Sequence, residues 1–290
     1  MLTPHPAVES VWELRAEGGS GPRVGVLGAI HGNEVGGLRA LERLMTDAGA
    51  REAELAKGTL VLIHGNPRAT AERRRYTAGG TDLNRLFDFG WVDRLAREAW
   101  TYEHHRAHAL RSVLGDLDAL LDLHSASQPT VPFAIAASTA EGIALGRATG
   151  CRVTHGWDGP GMLMDHVSIG HLVARGRPAL SVECGQHQAP ETSEHAWRIL
   201  LRFLGALGVS RHPPETNAAP TYRLFGRVVK PTRHFELTKP FASFDVLAPG
   251  DVLGRGEGVT IAVEEEAHLL LPTPTAARGE DLVYLARREP

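Results

Sequence analysis

A histidine and a glutamate stand three apart in Gly28-Ala29-Ile30-His31-Gly32-Asn33-Glu34, where an apolar run (Val24, Val26, Leu27, Ile30) gives way to a glycine-rich turn. An imidazole and a carboxylate at that spacing can reach one cation, and zinc accepts that mixture. A catalytic zinc takes three protein ligands and a water, so the pair calls for a third ligand and for a base that works the water. The same spacing at a helix start also suits capping, in which side chains satisfy free backbone N–H groups.

The elements that would position these groups can be read from periodicity. A buried strand is expected over 23–30 and an amphipathic helix over 34–47, with Leu38, Leu41 and Leu44 on one face and Gly49 as its stop. A second buried strand covers 59–63 and ends at the turn Gly65-Asn66-Pro67. Residues 68–89 show little period and read as a long ordered loop, a length usually kept for function. A long helix is expected over 91–114. A third strand over 119–123 ends in Asp122-Leu123-His124-Ser125, and a fourth covers 131–137. A helix over 139–149 and a short strand over 151–154 follow. Next come a loop with Gly156, Gly159 and Gly161, a helical stretch near 163–175, a buried strand over 179–183 and a helix over 190–207. Strands alternating with helices predict an α/β sheet with helices on both faces.

In such sheets ligands bind outside the carboxyl ends of the strands. His31 and Glu34 follow the first strand, His124 ends the third and Glu183 ends a later one. If these strands are neighbours, His31, Glu34 and His124 form a two-imidazole, one-carboxylate set with a position open for water. Zinc would lower the pKa of that water to about 7. Glu183, closing the apolar run Ala179-Leu180-Ser181-Val182, is then the candidate general base that takes the proton and passes it to a leaving amine. A solvated strand-end glutamate is the alternative. Asp122 lies two before His124, on the same face of a strand, where it could orient the imidazole. Arg75 and Arg85 suit anionic work, one on an oxyanion and one on a substrate carboxylate.

Past His212-Pro213-Pro214-Glu215-Thr216-Asn217 the texture changes to short β-prone segments at 221–229, 233–238, 251–254, 259–263 and 268–271. Two domains are expected: residues 1–210 as the α/β domain and residues 218–290 as a smaller all-β domain.

Composition narrows the partners. The 290 residues are 42% hydrophobic with a net charge of -3, which gives no reason to propose nucleic acid or an anionic membrane surface. Two cysteines make no disulfide framework and fit a reducing cytoplasm. The N-terminus lacks the regions of a signal peptide, and no apolar run has the length of a membrane span.

Four stretches, His31-Gly32-Asn33-Glu34, Asp82-Leu83-Asn84-Arg85, Asp122-Leu123-His124 and Val182-Glu183-Cys184-Gly185, come in the order of the motifs of the succinylglutamate desuccinylase/aspartoacylase family, a branch of the zinc carboxypeptidase superfamily. The resemblance covers most of residues 24–185, and the stretch 274–285 is similar to the end of that family's β domain. It implies a zinc-carboxypeptidase-like mixed sheet flanked by helices, with the smaller C-terminal all-β domain. It implies one Zn2+ per chain on His31, Glu34 and His124, Glu183 as general base, and Asn84 with Arg85 as the anchor for a substrate carboxylate. It also implies an Arg-Tyr pair that polarises the scissile carbonyl. Arg75-Tyr76 is the match, with Arg74 and Arg68 open as alternatives. Aspartoacylase carries an arginine upstream of the catalytic glutamate that recognises an acidic side chain. The corresponding stretch Ser168-Ile169-Gly170-His171-Leu172-Val173 has none, which speaks against N-acetylaspartate as substrate.

The expected activity is therefore a zinc-dependent amidohydrolase acting on an N-acyl amino acid or similar small amide that bears a carboxylate. The alternatives are a metallocarboxypeptidase for short peptides and a non-catalytic metal- or metabolite-binding protein; homo-oligomerisation stays open. His104 and His108, four apart, are read as a solvated helix face rather than a second metal site. Cys184 is read as a buried small residue rather than a nucleophile.

Overall fold

The computed structural model describes residues 2–290 except 18, 160, 161, 163 and 216–218. The end of the proline-rich stretch expected at the domain boundary, the first residue of the expected C-terminal domain, and Gly161 of the glycine-rich loop lie outside the described residues.

In chain order, β1 (Leu2–Pro4) and β2 (Val11–Arg15) lead into β3 (Arg23–Gly28), α1 (Val35–Leu44), α2 (Asp47–Glu52), β4 (Thr59–His64) and α3 (Pro67–Glu72). Then come α4 (Phe89–Val92), α5 (Tyr102–Gly115), β5 (Ala119–Ala126), β6 (Phe133–Ala136), α6 (Ala140–Ala148), β7 (Arg152–His155), α7 (Gly170–Val173), β8 (Ala179–Gln186) and α8 (Thr192–Ala206). The remainder is strand: β9 (Thr221–Val229), β10 (Glu236–Leu237), β11 (Val246–Leu247), β12 (Val252–Gly256), β13 (Val259–Ala262), β14 (Ala267–Leu270) and β15 (Asp281–Arg288).

The main sheet runs β1-β2-β4-β3-β5-β8-β6-β7-β9-β15-β14-β11 and is mixed, as the family resemblance implies. Its centre is parallel, β4 to β3, β3 to β5 and β5 to β8, while β6 turns antiparallel against β8. β9 pairs with β7, so strands from beyond residue 220 extend this same sheet; β10, β12 and β13 form a small sheet of their own.

Alternation along the central strands sorts their side chains between two cores. Val24 and Val26 of β3 join Leu121, Leu123 and Val182 under Leu41 and Leu44 of α1 and Leu200 and Leu204 of α8. Leu27, Val61, Ile63 and Leu120 pack on the other face with Leu110 and Leu114 of α5 and Leu172 of α7. Each such side chain, fully buried, contributes about 1.5–3 kcal/mol. With both faces covered, the strand ends are left as the place where polar groups gather.

Several helices are shorter than their periodicity suggests. The helix expected over 91–114 is broken into α4, a three-ten turn (Arg97–Ala99) and α5. The Asp88 side chain caps α4, and the Thr101 N–H donates to His104 Nδ1 at 3.1 Å, which fixes a fresh start at Tyr102. The helix expected over 34–47 stops at Leu44. Thr46 then caps α2 by accepting from the Gly49 N–H, so Gly49 lies inside a helix rather than ending one. The stretch near 163–175 reduces to a three-ten turn (Met164–His166) and α7, with residue 163 outside the described set. The N-terminal β1 and β2 were not expected; they close the sheet edge antiparallel against β4. Among the described residues no helix is long and apolar enough to cross a membrane.

Candidate metal centre

The turn after β3 is tight because its backbone is crowded. Ala29 takes a left-handed φ of 53°, unusual for a residue with a Cβ. A Cβ on Gly32 would lie 2.1 Å from the Ala69 carbonyl carbon of α3, so only glycine lets the turn approach that helix. The Gly32 N–H donates to Arg75 O at 3.2 Å, which draws the residues after α3 over the turn.

Glu34 sits immediately before α1, the position of a capping residue, yet its carboxylate makes no cap bond. Its Oε1 lies 2.8 Å from His31 Nδ1 and its Oε2 lies 3.1 Å from His124 Nδ1 and accepts from the Ser125 N–H at 3.0 Å. The capping alternative is thereby excluded for this side chain. One ligand atom from each of His31, Glu34 and His124 lies within 4.8 Å of the others, and all three residues are buried. Among the described residues this is the group that can hold a metal ion.

The two imidazoles are held alike. Each turns Nδ1 toward Glu34 and Nε2 toward an aspartate: His31 Nε2 is 3.2 Å from Asp82 Oδ1, and His124 Nε2 is 3.1 Å from Asp122 Oδ2. A carboxylate on the far nitrogen fixes ring orientation and strengthens the near nitrogen as a ligand. Asp122 occupies the place expected for it. Asp82 was missed as a partner of His31, although it opens the quoted Asp82-Leu83-Asn84-Arg85 stretch; its side chain is also held by two bonds from Arg75, at 3.1 and 2.9 Å.

The charges agree with a cation site. Burial alone would raise the Glu34 carboxyl, but the His31 charge and the hydrogen bonds from His124 and His31 hold it well below its ordinary value. Burial disfavours charge on His124, but Asp122 and Glu34 outweigh it and raise the imidazole well above 6.5. Two imidazoles and one carboxylate, each with its far side braced, fit a zinc-type ion.

Glu183 is the in-register partner of His124 across β5 and β8. It is 8% exposed, and its buried Oε2 has no hydrogen-bond partner. Burial pushes its carboxyl up to about 7; His124 opposes that shift and Glu34 adds to it. A strand-end glutamate in solvent, the alternative from sequence, is not what is found.

Of the three candidate arginines, Arg75 is the one at this centre: besides Asp82 it lies 3.6 Å from Glu34 Oε1. Arg68 instead covers the Tyr102 ring, 4.4 Å from its centroid; Arg74, Arg75 and Tyr76 are all exposed, and it is the pairing with Asp82 and Glu34 that sets Arg75 apart. Asn84 is buried, with Oδ1 accepting from the Ser168 N–H at 3.0 Å. Arg85 spends one donor on Asn84 O at 2.9 Å. Two further residues were not singled out from sequence. His187 places Nδ1 2.9 Å from Ser125 Oγ, next to the ligand set. Ser168 donates its hydroxyl to Asp122 Oδ2. His187 lies in the connection before α8, and Ser168 in a stretch whose helical pattern says nothing of a partner 46 residues away.

The helix face of His104 and His108 is solvated only in part: His108 is exposed and His104 is not. Glu103, His104 and Arg106 are buried, and Arg106 donates to Gly65 O, Glu9 O and His64 O. Cys184 is fully buried, and burial holds its thiol well above its ordinary value, so it is no nucleophile.

The profile of the "Succinylglutamate desuccinylase/Aspartoacylase catalytic domain" matches residues 20–153. A "Succinylglutamate desuccinylase" of Pseudomonas aeruginosa (strain UCBPP-PA14) is 30% identical over 270 residues, covering 86% of this chain and 79% of that one. The chain belongs to the succinylglutamate desuccinylase/aspartoacylase family. A second relative, the human "N-acyl-aromatic-L-amino acid amidohydrolase (carboxylate-forming)", is 35% identical over 129 residues, 42% of this chain and 39% of that one. The fold agrees: a solved succinylglutamate desuccinylase from Vibrio cholerae superposes with a TM-score of 0.77 at 19% identity, covering 99% of this chain and 90% of that one. Family membership places the chain among hydrolases.

Proposed function

We propose that this chain is a zinc-dependent amidohydrolase that splits the amide bond of an N-acyl amino acid, or a similar small amide bearing a carboxylate, into a carboxylic acid and an amine. The observation that carries the reading is Glu183. It is a buried carboxyl with a partnerless oxygen and an affinity for protons near neutrality, set in register beside a buried His-Glu-His group. Both named relatives, the desuccinylase and the carboxylate-forming amidohydrolase, support the reaction class.

In this reading His31, Glu34 and His124 would hold one zinc, which would supply Lewis acidity and bring the pKa of a water to about 7. Glu183 takes a proton from the attacking water and delivers it to the departing nitrogen. The water's oxygen ends on the acyl carbon, the C–N bond breaks, and the proton completes the amine. Arg75, held by Asp82 beside Glu34, faces the charge that develops on the carbonyl oxygen. Asn84 and Arg85 hold the substrate carboxylate; Arg85 keeps donors beyond the one given to Asn84 O. Within the proposal, residues 1–210 carry this chemistry, residues 218–290 form the accessory β domain, and the two unpaired buried cysteines fit the cytoplasm.

The test is a panel of N-acyl amino acids assayed with zinc, each beside its C-terminal amide. Losing charge-assisted hydrogen bonds of about 1.5–3 kcal/mol predicts that the free acids are cleaved at least about tenfold more efficiently in kcat/KM. No hydrolysis of any member, or equal cleavage of acid and amide, contradicts the reading.

A further inference from the structure

Four buried residues form a chain from the metal group to the proposed carboxylate anchor. His124 Nε2 is 3.1 Å from Asp122 Oδ2. That same oxygen accepts the Ser168 hydroxyl. The Ser168 N–H in turn donates to Asn84 Oδ1 at 3.0 Å. Ser168 and Asp122 are fully buried, with His124 and Asn84 5% and 6% exposed. Asp122 Oδ1 is buried without a partner, so the orientation of this carboxylate rests on what Oδ2 touches, His124 and Ser168. A second stitch, Phe87 N–H to His166 O at 3.0 Å, ties the same segment to the far side of the Asn84-Arg85 turn.

We infer that Ser168 is a positioning residue that couples the metal ligand His124 to the substrate anchor Asn84. The inference rests on the proposed function and goes beyond it. Its physical content is that one residue satisfies two buried polar groups through different atoms. The hydroxyl keeps Asp122 turned to His124, and the backbone N–H keeps the Asn84 amide oriented with its nitrogen free for substrate. Buried polar groups linked this way have few alternative partners, so moving one end moves the other. Asn84 touches no metal ligand directly; its backbone N–H donates to Asp82 Oδ1 at 2.8 Å, beside His31, but Asn84→Ala keeps that bond, so the effect of its side chain on the metal should run through Ser168.

The experiment measures zinc affinity alone, by competition with a chelator, on wild type, Ser168→Ala, Asn84→Ala and the double variant. Partners of metal-bound histidines contribute about 10–100-fold to metal affinity. Ser168→Ala is expected to weaken zinc at least about tenfold, within that range. Asn84→Ala is expected to weaken it measurably, and the double variant by clearly less than the product of the two. Ser210→Ala removes another buried serine hydroxyl, which donates to Ala53 O at 2.6 Å, and serves as the control for lost stability. It should lower the melting temperature without changing zinc affinity. Unchanged zinc affinity in Ser168→Ala or Asn84→Ala, or effects that multiply independently, overturns the coupling while the metal site stands. A wild-type chain that takes up no zinc overturns the proposed function and this inference together.

Discussion

Glu183 and His124 are directly paired across two parallel strands, so the proposed base and a proposed metal ligand are carried side by side by the parallel centre of the sheet. Neither depends on a loop for its placement, and both sit where β5 and β8 emerge from the apolar core.

That placement separates catalysis from metal binding. Glu183→Gln keeps the shape and removes the proton acceptor, while Glu183 is outside the group that can hold the ion. The variant should lose about 10²–10⁴-fold in kcat and keep its zinc content. Steady-state kinetics beside elemental analysis checks this. Retained turnover would remove Glu183 from the mechanism, and lost zinc would make it a ligand.

Glu103 of α5 is a second test, on stability. It is fully buried and accepts from Thr77 N–H at 2.8 Å, Asn66 Nδ2 at 3.3 Å, Thr81 N–H at 3.3 Å and the Thr101 hydroxyl at 3.2 Å. These bonds pin the segment that carries Arg75 and Asp82. Burial would raise the carboxyl, but the bonds from Thr77 and Asn66 outweigh it and lower it. Glu103→Gln should cost about 1–3 kcal/mol at neutral pH, read as a shift in urea midpoint. A group with a depressed carboxyl stabilises above its unfolded pKa and loses that contribution as pH falls through the folded one. The gap between wild type and variant should therefore close in acid. A gap that widens in acid would contradict the assignment.

His64 and His171 make the fold acid-sensitive away from the metal group. Burial pushes both down to about 4; Arg106 adds to the shift at His64, and Arg175, Arg111 and Arg177 add to it at His171. The unfolded chain takes up these protons near 6.5, whereas the folded chain resists until about 4. Stability should fall as pH is lowered through that window, because the unfolded state binds more protons there. His64→Gln and His171→Gln should each flatten the slope of urea midpoint against pH. Parallel curves for wild type and variants would show that neither histidine is responsible.

Much of the centre was legible because it obeys a positional rule. His31, Glu34, His124 and Glu183 lie at the ends of apolar runs, and the ends of neighbouring parallel strands converge. The contacts between distant loops were not legible. Asp82 reaches His31 from 51 residues away through a stretch with no period to read, and Ser168 reaches Asn84 from 84 away out of a stretch read as helix. Which of Arg68, Arg74 and Arg75 lies beside Glu34 was not legible either: the left-handed turn at Arg73 ends α3 and separates Arg68 from Arg75. The break between α4 and α5 was hidden because Trp91, Trp100 and Val92 continue an apolar pattern. Trp100 is nonetheless held outside a helix, stacked on His104 with Arg97 over its ring. In α5 the charged residues pointed to a solvated face, yet Glu103 and Arg106 are buried because backbone groups of adjoining loops satisfy them.

The central claim is that His31, Glu34 and His124 hold one metal ion, and elemental analysis of protein purified without added metal tests it most directly, with His31→Ala alongside. About one zinc per chain, the content of a single three-ligand catalytic site, is expected in the wild type and should be lost in the variant. A wild-type chain that carries no metal and takes none up on titration, or a His31→Ala chain that keeps it, would contradict the account.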